Sequence, residues 1–182
     1  NTASVWGGNY VGGWFGEVGT NIAVHVINGT GKKDNNKWSY NGSMSSNVYD
    51  STEGLNYTIS GTDYVGGLIG KLSVMGHQIT GVFNTMEVVG YGSNIGGLVG
   101  MMDGGNLSNC FVSLPDKALV TTETSLVEGA ENVGGLIGMM HSTTLTGCSA
   151  TGNVTHTTNS YSRIGGLVGQ MICNCSVEKC FA

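Results

Sequence analysis

Proline is almost missing from this chain of 182 residues, where Pro115 stands alone. Charge is scarce too, at 10% of residues, against 40% hydrophobic ones. That balance excludes the highly charged, weakly apolar composition of a disordered tail and predicts a packed core in a single domain, 1–182. The seven Lys and Arg are too scattered to form the basic stripe that neutralises phosphates, so nucleic acid is not an expected partner. No apolar run approaches the roughly eighteen residues that cross a bilayer, and no membrane insertion is expected. The first residues lack a basic start followed by an apolar stretch, which places any export signal outside them. HExxH, GxSxG, Walker and dinucleotide motifs are absent, and His25, His77, His141 and His156 fall in different frames of the repeat described next. Neither an enzymatic activity nor a cofactor is expected.

What the chain has instead is glycine, 32 of them, and it is periodic. Tyr10 to Gly16, Tyr64 to Gly70, Asn94 to Gly100, Asn132 to Gly138 and Arg163 to Gly169 share one frame: aliphatic, Gly, Gly, apolar, apolar, Gly. The pairs are Gly12–Gly13, Gly66–Gly67, Gly96–Gly97, Gly134–Gly135 and Gly165–Gly166, and their first members are separated by 54, 30, 38 and 31 residues. A unit near thirty residues with two insertions predicts an all-β fold, a parallel β-helix or β-solenoid of about five Gly-Gly-centred repeats. The column Val11, Val65, Ile95, Val133, Ile164 is β-branched, as a buried strand prefers. Inward columns are also expected at Trp14, Leu68, Leu98, Leu136, Leu167 and at Val18, Leu72, Met102, Met140, Met171. The glycines mark either a bend with positive backbone torsion or a close approach between neighbouring coils.

Cys110 and Cys148 follow their glycine pairs by fourteen residues and Cys180 by fifteen, which puts the three in one column. Strands about 4.8 Å apart allow either a disulfide or a ladder of small apolar thiols, and the ladder is the preferred reading. With Cys173 and Cys175 the total is five, so one thiol stays free or pairs outside the chain. Cys173, Cys175 and Cys180 lack a fourth ligand and CxxC-like spacing, so no metal site is expected. Asp103 and His141 share a column seven residues after their first glycine and are expected to form a surface ion pair across adjacent coils. Thr-X-Thr pairs, which in a flat array would suit an ice lattice, do not repeat at one frame position.

The insertions run approximately over 28–60 and 111–131. In the first, Lys32, Lys33, Lys37, Trp38 and Tyr40 form a candidate ligand-binding loop for glycans or host surface proteins, with packing of its aromatics on the flank as the alternative. The second, with Pro115 and several acids, reads as a solvated flap. Asn28, Asn41, Asn56, Asn106, Asn153 and Asn174 begin Asn-X-Ser/Thr triplets and are candidate glycosylation sites, although the same residues are common in turns.

The GGLxG strings, followed by a short strand and Asn-Cys or Gly-Cys as in Cys148-Ser149-Ala150-Thr151-Gly152-Asn153-Val154, resemble the GLUG motif. That repeat is found in bacterial surface proteins, including haemagglutinin-like adhesins and non-catalytic regions of large secreted immunoglobulin-cleaving peptidases. The resemblance covers Tyr10 to Ala182, and its first unit departs from it by carrying Trp14 and Phe15. It implies an extracellular or cell-surface protein that serves as a fibre or adhesive stalk. Placing Ala182 of one copy before Asn1 of another would restore the fourteen-residue spacing from Cys180 to the next glycine pair, so head-to-tail self-assembly is expected. The alternative is a ligand-binding segment of a larger secreted adhesin or peptidase.

Overall fold

The computed structural model describes residues 5–19, 25–27, 43–44, 58–73, 78–84, 86–113, 125–157 and 162–182. Among them there is no helix, and every strand pairing is parallel. The chain makes five similar passes. The first holds β1 (Val5–Trp6), β2 (Val11–Gly12), β3 (Phe15–Val18), β4 (His25–Ile27) and β5 (Ser43–Met44). The second holds β6 (Thr58–Gly61), β7 (Val65–Gly66), β8 (Ile69–Ser73), β9 (Gln78–Thr80) and β10 (Phe83–Asn84). The third has β11 (Glu87–Gly90), β12 (Ser93–Gly96), β13 (Val99–Ser108) and β14 (Phe111–Ser113). The fourth has β15 (Ser125–Gly129), β16 (Glu131–Gly134), β17 (Ile137–Thr146) and β18 (Ser149–Thr151). The fifth has β19 (Asn153–His156), β20 (Ile164–Gly165), β21 (Val168–Ile172) and β22 (Ser176–Glu178).

Equivalent strands of successive passes lie side by side, in the orders β1-β6-β11-β15-β19, β2-β7-β12-β16-β20 and β3-β8-β13-β17-β21. The far halves of the long β13 and β17 pair with β9 and β22, and β4 joins β9. A last row runs β5-β10-β14-β18, extended by a bridge from Ser149 to Phe181. No closed barrel forms among the described residues, and no described strand lies beyond the first or the fifth pass.

Register explains the sequence columns. Val11, Val65, Ile95, Val133 and Ile164 pair in line, as do Val18, Leu72, Met102, Met140 and Met171. With Leu68, Leu98 and Leu136 these rows build the continuous apolar core. Of the two explanations for the glycine pairs, close approach is the one realised. A Cβ on Gly96 would strike the carbonyl oxygen of Val99 and lie 2.6 Å from the amide nitrogen of Gly138, one pass away. The positive torsion sits two residues earlier, at Tyr10, Tyr64, Asn94 and Asn132, with φ of 57°, 55°, 65° and 51°. A second left-handed row, Gly81, Asn109, Gly147 and Lys179, makes the corner before the cysteine column, with φ of 68°, 51°, 63° and 55°. Asn and Gly suit that conformation because their short side chains avoid the following carbonyl.

The insertions are narrower than the sequence spacing suggests. Thr58–Gly61, Phe111–Ser113 and Ser125–Gly129 all pair within the sheets, so 58–60, 111–113 and 125–131 belong to the repeat. The extra length lies between Met44 and Thr58 and between Ser113 and Ser125, both at the corner from the last row back to the first, and between Ile27 and Ser43. One inward position needed a polar side chain. Asn84, fully buried where the next passes carry Val112 and Ala150, donates to the carbonyls of Met86 (3.1 Å) and Gly97 (2.7 Å). Its Oδ1 accepts from the Met86 amide at 3.0 Å, so the buried amide is nearly saturated.

Candidate functional site

The two ends of the sheets are unlike each other. On the fifth pass Ile164 and Met171 are 40% and 48% exposed, whereas Val133 and Met140, their neighbours in the same columns, are fully buried. Phe181 shares the outward column of Phe111, which is exposed inside the stack, but Val177 is exposed on the same edge as Ile164 and Met171, while Leu167 and Val168 are half-buried. These side chains are apolar because the column chemistry continues; they are wet because no described strand lies beyond β20, β21 and β22. On the first pass Val11 and Val18 are only 6% and 4% exposed, and Trp14, larger than the leucines of its column, packs half-buried against the core. Trp6 and Phe15 are exposed there. Open parallel edges with apolar side chains are templates for another strand.

The cysteine column is real and its thiols are unbridged. Cys110 and Cys148 are buried, Cys180 half-buried, and all five cysteines are free. The Cys148 amide donates to the Cys180 sulfur at 3.3 Å, and the thiols of Cys110 and Cys148 donate to carbonyls such as those of Ser108 (3.3 Å) and Thr146 (3.5 Å). The hydrogen bond with Cys148 raises the Cys110 thiol above its usual range, with burial adding to it. The same bond holds Cys148 down to about 7, against the effect of burial. Burial raises Cys180. Cys173 stands apart, exposed, on a left-handed residue (φ 57°), and the half-buried Cys175 thiol donates to the Ile172 carbonyl at 3.2 Å. Among the described residues no three His, Cys, Asp or Glu side chains converge on a metal position. Burial sets the order of reaction with an aromatic disulfide reagent: Cys173 is expected to react first, and Cys110 and Cys148 only on unfolding, which peptide mapping of the labelled chain checks.

The outward columns carry the polar chemistry. Asp103 and His141 meet as expected, with Oδ1 2.6 Å from Nδ1 and both side chains well exposed. Asn132 donates to Asn94 at 2.9 Å, and Arg163 donates to Asn132 (3.1 Å) and to Glu131 (2.6 Å). In the same column Tyr10 and Tyr64 stack, with centroids 4.9 Å apart and planes at 15°. The Lys71 ammonium lies 5.2 and 5.6 Å from their ring centres and pairs with Glu17 at 3.0 Å, and that hydrogen bond raises the Lys71 pKa. Stacking and cation–π attraction offset the strain of two left-handed tyrosines. Sequence reading did not single out Tyr10, Tyr64, Lys71 or Asn84 as a group; the column position shared by Tyr10, Tyr64, Asn94, Asn132 and Arg163 was the available signal. Of the glycosylation candidates, Asn106, Asn153 and Asn174 are exposed on the far half of β13, the start of β19 and the turn before β22. Asn28, Asn41 and Asn56 lie outside the described residues, as does the candidate ligand loop with Lys32, Lys33, Lys37, Trp38 and Tyr40. Comparison of the chain with protein-family models, curated proteins and solved structures gives no match.

Proposed function

We propose that the chain is a β-solenoid of GLUG type that acts as a structural subunit of an extracellular fibre or adhesive stalk, without catalytic activity. The five in-register rows of parallel strands support the solenoid, since each pass repeats the one before it. The observation that carries the function is the exposure of the fifth pass, where Ile164, Met171 and Val177 continue columns that are buried in the preceding passes and are themselves uncovered. Repeat arrays of this kind need a polar cap or a neighbour to stay soluble, and a neighbour makes a fibre. Subunits then join head to tail, the first pass of one copy covering the fifth pass of the next. Glycans or host surface proteins are the ligands such a stalk would present itself to, through the loops at its corners. Sedimentation velocity over a concentration series tests the reading. Progressive growth to large species supports it, whereas one unchanging small species at every concentration replaces it with a ligand-binding segment of a larger secreted protein.

A further inference from the structure

One outward row departs from its own chemistry. Glu17, Lys71, Met101, Met139 and Gln170 are in-register partners on β3, β8, β13, β17 and β21, and the members flanking the two methionines are charged or polar. Met102 and Met140, the next residues along, are fully buried in the core. Strand side chains alternate, so Met101 and Met139 belong to the opposite, outward face, where both are half-buried. Two residues further along the same strands, on that same face, Asp103 and His141 are partners. A pair of thioethers therefore sits beside a carboxylate–imidazole pair. We propose that this patch binds a soft monovalent cation of the copper(I) class, with the sulfurs of Met101 and Met139 and Nε2 of His141 as ligands.

Asp103 supplies the orientation such a site needs. Its Oδ1 lies 2.6 Å from His141 Nδ1. A carboxylate only accepts, so Nδ1 carries the proton and Nε2 of the neutral ring presents its lone pair. Metal-ligating imidazoles give their other N–H to a carboxylate in this way. Thioether sulfur and imidazole nitrogen suit copper(I), whereas calcium and magnesium take oxygen donors. Neighbouring strands lie about 4.8 Å apart and same-face residues about 6.6 Å apart along a strand, a span that unbranched, adaptable methionine side chains can close. Lys71, the cation of the methionine row, is drawn the other way, onto Glu17 at 3.0 Å, and its charge is offset there. The ligands lie on the third and fourth passes, flanked by β8 and β21, so the site does not depend on how copies join.

The test follows the methyl signals of labelled methionines by NMR as silver(I), a redox-stable analogue of copper(I), is added in chloride-free buffer. Accessible thiols are first capped with methyl methanethiosulfonate, and circular dichroism confirms that the fold is kept. The Met101 and Met139 methyl signals and the His141 ring signals are expected to move together and to saturate at a single silver per chain. Met171, exposed but outside the patch, stays in place. Met101→Leu and Met139→Leu nearly conserve volume, and each is expected to weaken binding at least as much as the about ten- to hundred-fold loss expected of Asp103→Ala, which removes only the orienting acceptor. In Asp103→Ala the methionine signals still move, at higher silver, as they do when a positioning residue and not a ligand is lost. Silver that leaves the Met101 and Met139 methyls in place, that moves Met171 as readily, or that leaves the His141 ring unchanged overturns the three-ligand site. So does zinc(II) that moves the two methyls equally well.

Discussion

Gly96→Val is expected to prevent stable folding, while Gly8→Val leaves stability within about 0.5 kcal/mol. The two glycines are equal in composition and opposite in surroundings. At Gly96 the new side chain meets only backbone, the Val99 carbonyl within the pass and Gly138 and Ile137 on the next one. Backbone in a parallel row is held on both sides, so it cannot yield as the end of a flexible side chain does, and overpacking here costs at least about 3 kcal/mol. That is a large share of the roughly 5–15 kcal/mol by which domains are stable. A Cβ on Gly8 meets nothing within 4 Å. Urea unfolding followed by circular dichroism compares the two; a Gly96→Val midpoint close to that of the wild type would contradict the close-packed rows.

Met171→Asp is expected to leave the isolated chain folded and to abolish its assembly. In the single chain Met171 is 48% exposed, so a carboxylate there stays hydrated and costs little. In a continued row the same position is enclosed as Met140 is, at 0% exposure, between apolar neighbours. Aspartate is too short to carry its charge out along the stem, as lysine would. An unpaired buried charge costs at least about 3 kcal/mol, which raises the concentration for assembly by on the order of a hundred-fold. Sedimentation velocity reads the outcome, with circular dichroism as the control for folding. Assembly unchanged from the wild type would mean that the fifth pass is not the joint.

The parts of this architecture that could be read from the residues are those where packing permits one answer. Gly12, Gly66, Gly96, Gly134 and Gly165 recur because a Cβ at each would fall on a backbone oxygen, and so they announced the repeat, its number and its inward columns. The cysteine column and the Asp103–His141 pair followed from counting within that frame. The last row was less legible because its strands are two or three residues long and its inward position changes from Asn84 to Val112 to Ala150. A buried Asn that finds three hydrogen bonds is tolerated there, so hydrophobic pattern alone passes over it. The insertions were drawn too wide for the same reason: Thr58–Gly61 and Ser125–Gly129 are short strands flanked by polar turns. The difference between the two ends was invisible in the sequence, since Val11 and Ile164 are the same kind of residue and only their cover differs.

Electron microscopy of assembled material, with the Fourier transform of the images, addresses the central claim most directly. Five passes joined in register predict filaments with a strand repeat of about 4.8 Å along the axis and a subunit repeat of about 24 Å. Dispersed short particles, or filaments whose strand repeat runs across the axis, would contradict it.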